Sequence, residues 1–267
     1  MSIFVVHIIK LIMAKNLWTD EEMILALDLY FKLPFGRLNR TTPEVIELAA
    51  LIGRTNNSVA LRLVNYAACD PYIRNTGRTG MTSGMDKCMP YWNHYAHNKE
   101  ELFLKAEEIK AKLVRKPIEQ LLSLTPEDFI GKERECVIRQ RVNQNSFRSM
   151  ILANYNETCA ISGICLPQLL IASHIIPWAD NEKERLNPAN GICLSPLYDK
   201  AFDKGYIGIR PDYTIIISNE LKEYKSKEFY SNFFSSIENK LINLPEEHVP
   251  NATFLEYHLD HIFSKHN

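Results

Sequence analysis

The stretch from 169 to 205 constrains the fold of this chain more than any other part of the sequence. An apolar run leads into His174 and predicts a buried strand, which Pro177 then stops. A polar loop follows, and a second short strand is predicted directly after Asn190. Pro196 suits the first turn of a helix, and a glycine suits its end. The predicted order is therefore strand, loop, strand and helix.

The chain before this stretch is predicted to be helical. Thr19 and Glu22 form a capping-box pattern, and Thr42 followed by Pro43 marks a second helix start. Gly53 ends that helix, and a third helix begins shortly afterwards. Helix, short turn and helix form a helix-turn-helix-like pattern. The opening Trp-Thr-x-Glu-Glu and the turn Gly-Arg-Thr-x-x-Ser-Val resemble small helical domains of the Myb/SANT type.

Four arginines are candidate phosphate contacts. Arg54 and Arg62 lie at the turn and in the third helix, and Arg78 lies in a glycine-rich segment predicted as a loop over 70–90. Arg141 lies on a long amphipathic helix that is predicted to end near Asn154. Guanidinium groups position proteins on nucleic-acid backbones, so we predict DNA contacts for these four residues. A solvated helix face and an ordinary surface connector are the alternatives.

Composition fits a globular chain and excludes a fibrous or wholly disordered one. Of 267 residues, 46% are hydrophobic and 24% are charged. The formal net charge of -1 gives no whole-chain indication of a polyanion partner, although the N-terminal part has a modest basic excess. The apolar run at 3–9 is too short to span a membrane and has no signal-peptide flanks. We therefore expect a cytoplasmic protein without a membrane segment, and free thiols rather than disulfides.

Four segments are predicted. A loose tail covers 1–15, and a helical domain with the helix-turn-helix-like pattern covers 16–115. A linker covers 116–131, and a second domain covers 132–267.

Three short motifs together resemble one enzyme family. His174-Ile-Ile-Pro-Trp, Asn190-Gly and Leu197-Tyr-Asp-Lys-Ala-Phe-Asp-Lys-Gly resemble the HNH endonucleases with a ββα-metal fold, and among them restriction-type bacterial proteins. The resemblance covers about 135–263. It implies an α+β fold in which a helical N-terminal domain precedes an HNH nuclease domain with flanking helices. It also implies metal-dependent hydrolysis of DNA, in restriction or in defence against foreign or modified DNA.

The resemblance implies roles for individual residues. His174 matches the general base, and Asn190 matches the residue that orients it. Asp199 matches a metal ligand on the helix, and Ser173 stands where relatives often have a charged or imidazole ligand. Oxygen ligands favour Mg²⁺ or Mn²⁺. Tyr198 stands where relatives often have histidine. The cysteines form no CxxC pairs, so we expect no structural zinc.

Three alternatives stay open at this point. The chain could be a DNA-binding protein whose HNH module has lost cleavage, because Ser173 and Tyr198 depart from the family pattern. It could also cut RNA or structured nucleic acid, or act as a protein–protein module. A homodimer is compatible with the sequence, which does not identify the target.

Overall fold

The computed structural model describes residues 17–266, so the tail predicted at 1–15 lies outside the described residues. The chain divides into two compact units, one ending at Val142 and the other beginning at Asn143. This boundary lies beyond the segment 116–131, which contains a short helix and a 3₁₀ turn, and the linker assignment stays a prediction. No helix among the described residues is long and apolar enough to cross a membrane.

The N-terminal unit is built from helices. Their bounds are α1 (Asp20–Lys32), α2 (Pro43–Ile52), α3 (Asn56–Cys69), α4 (Pro71–Asn75), α5 (Met85–Tyr95), α6 (Lys99–Val114) and α7 (Ile118–Leu121). The predicted capping box is confirmed, because Thr19 and Glu22 bond each other's backbone N–H groups. Gly53 adopts the left-handed conformation that ends α2, and Thr55 caps α3.

The loop prediction for 70–90 was partly wrong, because α4 and the start of α5 lie within it. The glycine-rich part between these helices packs closely on α3. A Cβ at Gly80 would lie 2.2 Å from the backbone nitrogen of Ala68. The buried Asn65 amide donates hydrogen bonds of 2.9 Å to the carbonyls of Met81 and Ser83. Because Gly80 has no side chain, the segment can approach α3 closely, and the Asn65 amide then holds it there.

The C-terminal unit combines helices with two small antiparallel sheets. A long helix, α8 (Arg134–Asn154), contains the boundary between the units and is followed by β1 (Ile171–His174) and β2 (Gly191–Leu194). The next helix, α9 (Pro196–Asp203), packs against both strands. The remaining elements are β3 (Ile207–Ile209), β4 (Ile215–Ile217), α10 (Asn219–Lys222), α11 (Glu228–Phe233) and α12 (Ala252–His261). The protein is therefore helix-rich and mixed α+β, with the predicted order of strand, strand and helix.

The residue pattern over 219–240 predicts one helix, and that helix does not form as a continuous element. The segment 219–240 contains two short helices, α10 and α11, instead of one long one. Leu221 and Tyr230 are buried, but the residues 223–229 between them are exposed. A long helix needs a continuous apolar face, and this segment lacks one. The apolar run Thr214-Ile-Ile-Ile-Ser218 predicts β4, and β3, for which no strand is predicted, pairs directly with it.

Candidate active site

His174 is the last residue of β1, where the register pairs it with Gly191. Its half-buried ring stacks on Phe147 of α8, with ring centroids 3.7 Å apart and an interplanar angle of 12°. The indole of Trp178 meets the same ring edge-on at 5.5 Å. Two aromatic contacts at different angles therefore fix the orientation of the imidazole.

The hydrogen bond of His174 determines which nitrogen carries the proton. Nε2 lies 3.1 Å from the carbonyl oxygen of Arg185, and a carbonyl can only accept. Nε2 is therefore the donor, and Nδ1 of the neutral ring keeps its lone pair. Burial lowers the pKa of His174 below its usual value, the bond to the Arg185 carbonyl opposes this, and the positive charge of Arg185 adds to the lowering. The ring is accordingly neutral near pH 7.

Glycine is required at 191 because two side chains of α8 occupy the space beside it. A Cβ there would lie 2.4 Å from Cδ1 of Ile151 and 2.7 Å from Cζ of Phe147. Phe147 is the ring on which His174 stacks, so the missing side chain at 191 makes room for that stack.

Asn190 joins the two ends of the loop between β1 and β2. Its side chain is 1% exposed and accepts a hydrogen bond of 2.8 Å from the Ile176 N–H. Its amide nitrogen donates to the carbonyls of Ile176 at 3.3 Å and Glu184 at 3.1 Å. The latter carbonyl precedes Arg185, whose own carbonyl binds His174. Asn190 thus fixes the backbone on both sides of the imidazole.

Asp199 lies on α9 and is half-buried next to Ser173 of β1. Burial raises the pKa of this carboxyl above its usual value, and the negative charge of Asp203 one turn along α9 raises it further. A hydrogen bond with the Ser173 hydroxyl lowers it in part. A desolvated carboxylate close to another negative charge is stabilised by a nearby cation.

The donor chemistry at Asp199 fits a hard divalent cation that keeps much of its water shell. Mg²⁺ is commonly held by only one or two carboxylates, with water completing the coordination. Among residues 17–266 there is no group of three or more histidine, cysteine, aspartate or glutamate side chains arranged to hold a metal. Carboxylate and hydroxyl oxygens suit Mg²⁺ or Mn²⁺.

The side chains of Tyr198 and Cys159 make hydrogen bonds that stabilise the fold around the site. The Tyr198 hydroxyl donates to the carbonyl of Phe233 at 2.8 Å, which fixes α9 on its buried side. The Cys159 sulfur accepts backbone hydrogen bonds from Ser162 at 3.3 Å and Ser195 at 3.1 Å. Burial raises the pKa of this thiol, but these bonds outweigh burial and bring it below its usual value. The six cysteines are all free thiols.

Arg54 and Arg62 share one aromatic partner in the N-terminal unit. Both guanidinium groups lie over the Trp18 ring, at 4.6 and 4.8 Å from its centroid. Arg54 also makes a two-point ion pair with Glu22, at 2.9 and 2.7 Å, and binds the carbonyl of Leu17. Arg62 has a weaker contact with the Cys88 sulfur at 3.6 Å. Arg54 is therefore held on several sides at once.

Arg78 and Arg141 lie at other places in that unit. The Arg78 guanidinium is 5.7 Å from the ring centroid of Phe35. Arg141 pairs with Asp128 at 3.2 Å, and both side chains are about one-third exposed. Contact of these four arginines with DNA stays a prediction.

Arg148 has a role that the sequence reasoning missed. Its position on the polar face of α8 predicts a solvated or phosphate-facing side chain. The guanidinium instead donates to the carbonyls of Leu170 at 2.6 Å and Pro167 at 2.8 Å, directly before β1. Phe147 and Arg148 therefore hold opposite ends of β1 on α8. The carbonyl partners are remote in sequence, so the residues around Arg148 do not identify them.

The comparisons with known proteins agree with this geometry. Residues 159–210 match the family model described as HNH endonuclease. No curated protein matches the chain. The matched segment contains β1, β2, α9 and β3, and with them His174, Asn190 and Asp199. This segment of the chain belongs to the HNH endonuclease family, which indicates a nuclease that acts on nucleic acid.

Proposed function

We propose that this protein is a metal-dependent endonuclease that hydrolyses phosphodiester bonds in DNA, in restriction or in defence against foreign or modified DNA. The observation that carries the proposal is the His174 ring. It is held between Phe147 and Trp178, donates through Nε2, and leaves Nδ1 without a hydrogen bond to a described residue. That nitrogen is available to accept the proton of an attacking water.

His174 acts in this proposal as the general base. A neutral imidazole accepts a proton from water near neutral pH, and the Arg185 carbonyl stabilises the imidazolium that forms. Asn190 acts as a positioning residue, because its three hydrogen bonds fix the backbone that carries this carbonyl.

Asp199 and Ser173 are the proposed ligands of Mg²⁺ or Mn²⁺. When bound, the cation supplies positive charge beside the phosphate, where negative charge grows as the bond to the leaving oxygen breaks. Asp203, one turn away on α9, is the further carboxylate that influences Asp199. The Ser173 hydroxyl orients the Asp199 carboxylate.

The N-terminal unit supplies DNA contacts in this proposal. Arg62 contacts the Trp18 ring and the Cys88 sulfur, Arg78 lies near the Phe35 ring, and Arg141 pairs with Asp128. In this proposal these contacts are exchanged for contacts with phosphates. Arg54 is a weaker candidate, because releasing it would break the paired contact with Glu22. We therefore propose that Arg54 stabilises the N-terminal unit and that the other three arginines contact the DNA.

The test is cleavage of methylated and unmethylated plasmid with Mg²⁺ or Mn²⁺ by the wild type and by His174→Ala. We expect the variant to lose about 10²–10⁴-fold in rate, the usual contribution of a general base, and to keep its DNA affinity in EDTA. His97→Ala removes an exposed histidine in the other unit and should cleave normally. Cleavage by His174→Ala at the wild-type rate would remove His174 from the mechanism.

One observation favours a second candidate, a DNA-binding protein whose HNH module does not cleave. Ser173 offers only a neutral oxygen beside Asp199. Binding of DNA without cleavage in Mg²⁺, Mn²⁺, Ni²⁺ or Zn²⁺ would support it. Parallel digestion of single-stranded DNA and RNA tests whether the substrate is a nucleic acid other than duplex DNA.

A further inference from the structure

A groove of about 700 Å³ lies beside the candidate active site in the C-terminal unit. Its walls are the loop after β1, the end of α9, and α12 with the residues that follow it. Pro177 and Asp180 line the groove from the loop after β1, Asp203 and Lys204 from the end of α9, and Tyr257 from α12.

The groove is continuous with the elements that carry the candidate centre. Pro177 lies in the loop directly after β1, which ends at His174, and Asp203 lies one turn beyond Asp199 on α9. The charge of Asp203 acts directly on the Asp199 carboxyl. A strand whose scissile phosphate lies between His174 and Asp199 would therefore extend into this groove.

Two lysines supply positive charge. Lys204 and Lys265 line the groove and are exposed, and neither ammonium group has an ion pair or hydrogen bond within residues 17–266. An unpaired ammonium group binds a phosphate as a point charge. The two lysines therefore supply positive charge for phosphates of a nucleic-acid backbone.

An aromatic pair supplies a flat surface. The rings of Tyr257 and His261 are stacked, with centroids 4.0 Å apart and an interplanar angle of 14°. The Tyr257 hydroxyl donates to the Asp180 carboxylate at 3.1 Å and joins α12 to the loop after β1. Bases of single strands stack on such rings largely irrespective of sequence.

Three carboxylates also line the groove, and they disfavour a simple anion. Asp180, Asp203 and Asp260 would repel a phosphate that approached them closely. The edges of nucleobases carry amino and imino groups, which donate hydrogen bonds to carboxylates. The groove therefore offers a partner for each part of a nucleotide. The ammonium groups suit the phosphate, the aromatic face suits the base ring, and the carboxylates suit the hydrogen-bond donors on the base edge.

We propose that this groove binds unpaired nucleotides of the substrate strand next to the scissile phosphate. Lys204 and Lys265 bind phosphates, the Tyr257–His261 pair stacks on a base, and the carboxylates face base edges. The strand is unpaired because a duplex keeps its base faces inside the stack. The inference rests on the proposed nuclease function, and DNA and RNA strands share the required chemistry.

The first experiment measures binding of labelled eight-nucleotide DNA and RNA strands to the full chain in EDTA, over a range of salt concentrations. Lys204→Gln/Lys265→Gln is compared with Lys225→Gln/Lys227→Gln, which removes two exposed lysines outside the groove. Each lost phosphate contact should lower the salt slope for a single strand by ~0.7, so the groove variant should lose about 1.4 and the control none. Equal slopes for both variants would count against the groove.

The second experiment locates the bound strand directly. Oligonucleotides that contain 5-iodouracil are cross-linked by light and the modified peptides are mapped by mass spectrometry. We expect cross-links on Tyr257 or His261 in the wild type, fewer in Tyr257→Leu, and a preference that identifies DNA or RNA. Cross-links confined to other segments would overturn the proposal. If the wild type forms these cross-links but cleaves neither plasmid, single-stranded DNA nor RNA, the nuclease function is refuted and the groove assignment stays intact.

Discussion

His258 on α12 provides a test of how firmly α9 is held. The residue is 1% exposed, and its ring lies parallel to Phe202 with centroids 3.7 Å apart. Nε2 lies 2.9 Å from the Phe202 carbonyl at the end of α9, while Nδ1 is buried without a partner in the described structure. Burial lowers the pKa of His258 to about 4, and the hydrogen bond to the Phe202 carbonyl opposes this. The folded protein therefore keeps this ring neutral.

The lowered pKa makes stability depend on pH in a known direction. In the unfolded chain a histidine titrates near ~6.5, so below that pH the unfolded state binds a proton that the folded state does not. The stabilisation that a neutral His258 provides is complete above pH 6.5 and is lost as the pH falls towards about 4. Between pH 7.5 and pH 5.0, linkage with these two pKa values gives a loss of about 2 kcal/mol.

Replacing His258 by phenylalanine keeps an aromatic ring against Phe202 but removes both the hydrogen bond and the titration. At pH 7.5 the variant should be less stable by about 1 kcal/mol, the usual value of one hydrogen bond. At pH 5.0 the wild type has lost about 2 kcal/mol that the variant keeps, so the variant should be more stable by about 1 kcal/mol. The order of stabilities should therefore reverse between the two pH values.

The assay must report on the C-terminal unit alone, because two units can unfold separately. Hydrogen exchange of peptides that cover α9 and β3, corrected for the intrinsic rate at each pH, gives the free energy of opening there. His97→Phe, at an exposed site, controls for nonspecific pH effects. A difference between wild type and His258→Phe that stays constant within about 0.5 kcal/mol would refute a neutral, desolvated His258.

Three further predictions concern single substitutions, each followed by urea unfolding. Arg54→Ala should lower the stability of the N-terminal unit by about 1–3 kcal/mol, because Glu22 loses its ion-pair partner and keeps only the Thr19 N–H. A loss of DNA affinity with unchanged stability would contradict this. Asn190→Ala should cost about 3 kcal/mol, because buried backbone groups lose their partners, and an unchanged midpoint would show that water replaces them. Gly191→Ala should lower the stability by about 1–3 kcal/mol, because the added Cβ crowds α8. Gly36→Ala places its Cβ in open space and should not lower the stability in this way. Equal losses of stability in the two variants would contradict the close approach at 191.

Helix starts were predictable because their causes are local. The capping box at Thr19 and the proline at the start of α2 act over a few residues, and both helices begin where these signals place them. The segment 219–240 was harder, because its helices depend on which apolar residues find buried partners. Leu221 and Tyr230 do so, and the exposed residues between them end the helical run.

The arginines show that the partners of a cationic side chain matter for a predicted nucleic-acid contact as well as its charge. Arg54 was predicted from its place at a turn before a helix, which is where phosphate contacts often lie. In the folded unit Arg54 also lies over the Trp18 ring and pairs with Glu22 of α1, and both partners are distant from it in sequence. A cation that is already paired must break those contacts to bind a phosphate, so its partners matter as much as its charge.

The candidate residues His174, Asn190 and Asp199 follow from motif spacing in the sequence, but the chemistry proposed for them depends on remote contacts. The free Nδ1 of His174 follows from the carbonyl of Arg185, which binds Nε2. The ring orientation follows from Phe147, whose approach requires the absence of a side chain at Gly191. Spacing places Gly191 directly after Asn190 but gives no reason for a glycine there. Since β1 pairs His174 with Gly191 while α8 supplies Phe147, the reason exists only once three separate segments are packed together.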